Sequence, residues 1–168
     1  MTGKISESPA APGVVRALAA GTASAVALIA WDVLFRLPKD MNVVGLIAVP
    51  YYLVGAFFVE VVLHLIPLAL WLGLVGRLLL RGRHDAPAFW AGAVLIAALE
   101  PVSQLGSGVF SSYSTAFFLI GAMVTYGVNF VQMVVLRRDG FAPMFAYRLG
   151  LYLLWHLIWG PIRLRVLF

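Results

Sequence analysis

VVGLIAVPYYLVGAFFVEVVLHLIPLALWLGLVGRLLL, residues 43–80, decides the fold class. Only Pro50, Glu60, His64, Pro67 and Arg77 interrupt its run of apolar and small residues, and no cluster of turn-forming polar residues divides it. A single helix over the whole stretch would be about twice as long as the hydrocarbon core of a bilayer is thick. The stretch therefore reads as a short interfacial or re-entrant piece over 43–50, followed by one long helix from Tyr51 to Leu80. Pro67 is expected to kink that helix, because proline lacks the N–H that the ladder needs and its ring crowds the preceding turn. The basic loop RGRHDAP, residues 81–87, ends it.

Upstream, MTGKISESPAAPG, residues 1–13, is small, polar and Pro-containing and reads as a disordered tail. The apolar run from Val14 to Leu37 is too long for a signal-peptide core of about 7–15 residues and reads as a first span. Asp32 and Arg36 stand four apart near its end, a spacing that lets them pair at the interface. A polar break, LPKDMN, follows at 37–42. Downstream, a third span runs from Ala88 to Gln104, and the uncharged loop GSGVFSSYS, 106–114, leads to a fourth from Thr115 to Leu136. The loop RRDGFAP, 137–143, precedes a fifth from Met144 to Ile162. The expected architecture is an all-α, polytopic integral membrane helical bundle of five transmembrane helices, with residues 14–168 as one domain.

Composition agrees with this reading. Of 168 residues, 62% are apolar and 11% charged, and the mean hydropathy is +0.97; soluble domains are about 45–50% apolar and about 25% charged. So small a body cannot hide that much apolar surface inside itself, so the bilayer is its first partner. The absence of cysteine removes disulfides, thiol nucleophiles and thiolate metal sites. Twelve Lys and Arg against seven Asp and Glu give a net charge of +5. The basic residues cluster where apolar runs end and carry no aromatic platform, which speaks for headgroup anchors and against nucleic acid. Lys4, Arg16, Arg77, Arg81, Arg83, Arg137, Arg138 and Arg148 fall on one side, and Arg36, Lys39, Arg163 and Arg165 on the other. The excess favours an N-inside, C-outside arrangement in a bacterial cytoplasmic membrane. No inverted repeat is evident, which weighs against a transporter.

Polar residues placed away from span ends carry the functional information, since each is costly in lipid unless it faces the bundle interior and finds a partner. Glu60 and His64 share one face of the second helix. Such a pair could ligate a metal, relay a proton or activate a water; it could equally be an internal hydrogen bond. Glu100 and Gln104 repeat the spacing on the third span, where Pro101 leaves a carbonyl one turn earlier without its donor. Arg148, Tyr152 and His156 form a stripe on the fifth span, while Asn129 and Gln132 lie on the fourth. His156 has no charged neighbour in sequence and needs a partner from another helix. Converging helices could build a zinc site from Glu60, His64 and His156 with an open position for water. Gly92, Gly121 and Gly127 offer packing faces, internally or to other subunits of a membrane complex.

The order of these features resembles the CPBP family of CAAX-protease and bacteriocin-processing-like intramembrane proteases, over about residues 51–160. The family's motifs are E-E-x-x-x-R, F-x-x-x-H and a final H-x-x-x-N/D. VEVVLH, 59–64, lies at the first, with Val59 and His64 at the first Glu and the Arg. EPVSQ, 100–104, lies at the second, with Glu100 and Gln104 at the Phe and His. His156 occupies the last motif, with Gly160 at its amide. The resemblance implies Glu60 and His156 as the surviving catalytic candidates. It also implies a polar pocket of His64, Glu100, Gln104, Asn129, Gln132, Arg148 and Tyr152 with altered chemistry. A non-catalytic binding or accessory protein is the leading expectation, and a divergent metal- or glutamate-dependent hydrolase or a small structural subunit are the alternatives.

Overall fold

The structure, a computed structural model, describes residues 10–81, 84–106 and 114–168. Lys4, Arg83 and most of the 106–114 loop lie outside the described residues. Within them the chain is all-α and contains no strand. Helix α1 spans Ala10–Phe35, α2 Ala48–Leu79, α3 Asp85–Ile96, α4 Leu99–Gly106 and α5 Thr115–Asp139. A continuous final helix, α6, covers residues 141–166.

Among the described residues, four helical stretches are long and apolar enough to cross a membrane: Pro12–Phe35, Ala48–Leu79, Asp85–Gln104 and Thr115–Asp139. Helix α6, expected as the fifth span, is not among them, because it carries Arg148, His156 and Arg163 in its length. It nevertheless runs alongside α1 in the same direction, from Pro143 packed on Gly13 to Arg163 bonded to Asp32. It thus lies at the same depth as a helix that qualifies. Outward-facing Leu34, Leu78, Leu79 and Met123 are 71–73% exposed, a pattern that suits lipid rather than water.

Two boundaries differ from the sequence reading. The first helix already begins at Ala10, inside the stretch read as a tail. Residues 43–50 form neither an interfacial helix nor a re-entrant one: the chain turns at Gly45, with φ +88°, and α2 starts at Ala48. Pro50 falls in the first turn of α2, where its missing N–H would have had no partner. Around Pro67 the α2 ladder is π-helical, over Val59–Leu65 before it and Leu72–Leu79 after a short α-helical turn. Such π-helical turns accommodate a residue that breaks the regular ladder.

The closest helix pair is α1 with α6. A methyl group on Gly21 would overlap the Tyr147 carbonyl oxygen, and one on Gly150 would overlap the Leu18 carbonyl. Ala17, Gly21 and Ala25, all buried and four apart, give α1 a small-residue face that lets the backbones touch. Gly21→Ala is expected to cost about 1–3 kcal/mol, the range for overpacking against a rigid neighbour. Gly55→Ala should be neutral or mildly stabilising, because Gly55 faces open space. SDS-titration midpoints in mixed micelles would separate the two. Of the glycines expected to pack, Gly92 lies under Trp71 and Gly121 under Trp31, while Gly127 has nothing near it.

Two apolar clusters form the core. One joins Leu28, Trp31, Phe117, Tyr147, Leu151 and Trp155; the other joins Leu68, Phe89, Ile96, Met133 and Met144. Asn129, Gln132 and Arg148 stand beside members of both along α5 and α6, so the polar groups occupy the seam between them.

Candidate functional site: a guanidinium-centred network and its cavity

Glu60 lies in the π-helical turn of α2 and is completely buried, as is His64 one turn on. Arg148 of α6 points into the same space. Its Nε donates to Glu60 Oε1 at 2.7 Å, and its Nη2 donates to Asn129 Oδ1 at 3.1 Å and to Glu100 Oε2 at 3.2 Å. Gln132 Nε2 also donates to Glu60 Oε1. Gln104 Nε2 donates to Glu100 Oε1 at 3.4 Å. One guanidinium therefore ties together α2, α4, α5 and α6, and its planar fork of donors is what allows it to serve three acceptors at once.

Asn129 has a second role. Pro101 cannot donate to the carbonyl of Ala97, and the helix breaks between α3 and α4 at that point. Asn129 Nδ2 supplies the missing donor to Ala97 O at 3.3 Å. The carbonyl expected to be orphaned is thus answered from α5, which also fixes the amide so that its oxygen faces Arg148. Asn129→Ala is expected to destabilise the protein by about 1–2 kcal/mol, since it strips a buried carbonyl and one guanidinium proton of their partners. Thermal unfolding of the solubilised chain would measure it.

The Glu60–His64 pair is not the internal hydrogen bond that its spacing allows. His64 Nδ1 stands 3.5 Å from Glu60 Oε2, and neither imidazole nitrogen makes a hydrogen bond. His156 does not join them. Its Nδ1 meets Asn42 Oδ1 at 2.7 Å, and its ring stacks on Tyr52 at 3.9 Å with Tyr152 edge-on at 4.7 Å. The partner it needed comes from the turn before α2 rather than from a helix. Tyr52 is itself anchored by accepting a hydrogen bond from Val43 N at 2.7 Å. The expected zinc ligands Glu60, His64 and His156 consequently do not converge, and among the described residues no group of three His, Cys, Asp or Glu side chains is placed to hold a metal ion.

Beside the network lies a cavity of about 170 Å³. Its lining is mixed: Glu100, Gln104, Thr125, Arg148, Tyr152 and His156 are polar, and Leu28, Trp31, Met41, Val128, Leu151 and Trp155 are apolar or aromatic. The expected pocket is therefore split. Glu100, Gln104, Arg148, Tyr152 and His156 reach the cavity, whereas Glu60, His64, Asn129 and Gln132 sit behind it as support.

Compared with protein-family models, curated proteins and solved structures, the chain matches none. What the site can do has to be read from its own geometry.

A second buried ion pair was not foreseen. Asp32 pairs with Arg163 of α6, not with Arg36: Nε donates to Oδ2 at 2.6 Å and Nη2 to Oδ1 at 2.8 Å. Arg163 also donates to the carbonyls of Leu37 and Pro38, and Trp159 Nε1 and Leu37 N donate to the same carboxylate. Arg36 instead takes a left-handed φ of +50° just past the end of α1, and the turn brings the Leu37 N–H back onto the Asp32 carboxylate. Arg163 is thus an interior residue rather than a headgroup anchor. The signal that could have exposed the pair is an acidic residue near one span end and a basic residue near another, each otherwise unexplained.

Proposed function

We propose that this chain is a non-catalytic integral membrane protein, CPBP-like in layout, that works by binding through its intramembrane cavity as an accessory component of a membrane assembly. The observation that carries this reading is the position of Glu60. A general base must stand within hydrogen-bond reach of the water it activates and of the substrate. Glu60 is wholly buried, one of its oxygens is engaged by Arg148 and Gln132, and it does not line the cavity. His156, the other surviving member of the resemblance, is held by Asn42 and makes no contact with that carboxylate. What the cavity presents is a shaped, mixed polar and aromatic surface, which suits recognition.

A seat in a bacterial cytoplasmic membrane with the N-terminus inside accords with the charges that remain exposed. Arg16, Arg77, Arg81, Arg137 and Arg138 lie toward one end, with Arg16 pairing with Asp139 at 3.9 Å, against Arg36, Lys39 and Arg165 at the other. The test is a peptidase assay on the solubilised chain with a library of quenched membrane peptides, beside Glu60→Gln. The expected result is no cleavage by either, together with recovery of the tagged chain in fixed ratio with a partner after mild-detergent extraction. Cleavage that Glu60→Gln abolishes would overturn the reading.

A further inference from the structure

We propose that the cavity takes a neutral ring compound through a carbonyl oxygen, which accepts hydrogen bonds from Arg148 and Trp31. The inference rests on reading the cavity as a binding site and adds the ligand's chemistry.

Three observations point the same way. The first is a pair of interior donors without acceptors. Trp31 lines the cavity and is buried, yet its Nε1 has no hydrogen-bond partner among the described residues. Arg148 also lines it and is buried. Its Nε and Nη2 are engaged by Glu60, Glu100 and Asn129, whereas its Nη1 makes no hydrogen bond with a described residue. A buried donor left unpaired is costly, so an acceptor gains most in the space beside such donors. The hydroxyls of Thr125 and Tyr152, in the same lining, donate or accept as the occupant requires.

The second is charge. Glu60 and Glu100 already answer the Arg148 guanidinium. Both Glu100 oxygens are engaged, by Arg148 and Gln104, and the unpartnered oxygen of Glu60 stands behind the cavity, 3.5 Å from His64. A cation would meet no free carboxylate there, and an anion would set a third negative charge against one guanidinium. Unbalanced charge is expensive in a membrane interior, so a neutral acceptor satisfies the two donors at the least cost. A carbonyl oxygen has two lone pairs and can take a hydrogen bond from each.

The third is shape and access. Trp31, Tyr152 and Trp155 line the cavity and offer flat apolar surface against which a ring packs. Size agrees, because cavities of about 150 Å³ hold a benzene-sized guest, and this one is about 170 Å³. Tyr152 and His156 also line a second, open groove of about 600 Å³, together with Tyr51, Val54 and Phe58. Those three are exposed on the outer face of α2, so the groove opens to lipid. The ring compound therefore enters from the bilayer, either free or as the head of an amphiphile whose chain stays in the groove.

The experiment uses the full chain in phosphatidylglycerol nanodiscs, with Tm and the carbonyl ¹³C resonance of labelled acetophenone as readouts. Acetophenone is titrated beside isopropylbenzene, which has its shape without the carbonyl, and benzoate, which adds a charge. Affinities are corrected for each compound's partition into empty nanodiscs. Acetophenone is expected to bind saturably, to raise Tm and to move its carbonyl resonance downfield of its position in empty nanodiscs, the direction of hydrogen-bond donation to the oxygen. It should bind about tenfold or more tighter than either comparison compound, the margin that one hydrogen bond supplies. Trp31→Phe, which keeps an aromatic ring but removes the N–H, should weaken acetophenone about tenfold and reverse part of the resonance shift. Val128→Phe, which fills the cavity without touching the ion pairs, should abolish binding while the protein stays folded by circular dichroism. Benzoate binding more tightly than acetophenone, an unmoved carbonyl resonance, no saturable binding, or undiminished binding by Val128→Phe would overturn the proposal.

Dodecanophenone, a phenyl ketone with a long chain, then distinguishes the source. A long-chain advantage lost in Gly55→Phe, a substitution in the groove wall, identifies an amphiphile head, and affinity equal to that of acetophenone identifies a free compound. Isopropylbenzene binding as tightly as acetophenone would defeat the carbonyl assignment and leave the cavity a binding site. Glu60-dependent peptide cleavage by the same preparation would defeat the non-catalytic reading whatever the ketone result, so the two failures are separable.

Discussion

Arg148→Met is expected to destabilise the protein by about 3–5 kcal/mol, the range for removing one partner of a buried ion pair. Methionine fills much of the same volume, so the loss comes from the charges left behind. Glu60 would keep Gln132 as its donor, Glu100 would keep Gln104, and Asn129 Oδ1 would lose its acceptor role altogether. Two carboxylates would then share a membrane interior without a cation, and four helices would lose their common tie. An SDS-titration midpoint followed by circular dichroism reads the effect. Combining Arg148→Met with Glu60→Gln and Glu100→Gln should restore a large part of it, because a neutral amide has no charge to desolvate. A shift below about 1 kcal/mol, a value typical of exposed pairs, would mean that the network does not hold the bundle.

Asp32→Ala should cost a similar amount, about 3–5 kcal/mol, through a different set of contacts. The Asp32 carboxylate accepts from Arg163 at both oxygens, from Trp159 Nε1 and from the Leu37 backbone. Its removal leaves Arg163, which has no exposed surface, with the carbonyls of Leu37 and Pro38 and the Phe168 ring 5.4 Å away, and no counter-charge. The ends of α1 and α6 are joined here, so loosening should appear first as a change in Trp159 emission at low denaturant. Arg163→Leu added to Asp32→Ala should recover stability, since two apolar residues replace a charge and a hole. Failure of that rescue would show that the hydrogen bonds to the 37–38 carbonyls, and not the charge pair, carry the stability.

The two networks show how far a reading from residue order extends. Glu60, Glu100, Gln104, Asn129, Gln132 and Arg148 stood out because lipid does not tolerate such groups without partners, and the structure brings them into one connected set. Pro101 signalled an unanswered carbonyl, and Asn129 answers it. Which residue would meet which was not legible. Asp32 and Arg36 sit at helical spacing, yet α1 ends between them and Asp32 turns to Arg163. Glu60 and His156 share a resemblance to one catalytic set, yet a π-helical turn and the position of Asn42 place them in separate environments. In a nearly all-apolar helix the polar pattern is sparse, so periodicity gives little hold on rotation about the helix axis.

What the sequence by itself determined is the class of the molecule and its inventory. The apolar excess over so short a chain requires lipid-facing helices, because a bilayer leaves backbone groups no partners except those within a helix or closed barrel. The long undivided run to Leu80 requires one extended helix, and the scarce ionisable groups name the interior. Tertiary structure alone decided the pairing: that Gly21 and Gly150 let α1 and α6 touch, that Arg148 and Arg163 turn inward, and that Glu60 supports a cavity it does not line. The physical reason is that composition and burial act on each residue separately, whereas ion pairing and close backbone contact depend on the relative rotation and depth of helices far apart in sequence, which only packing sets.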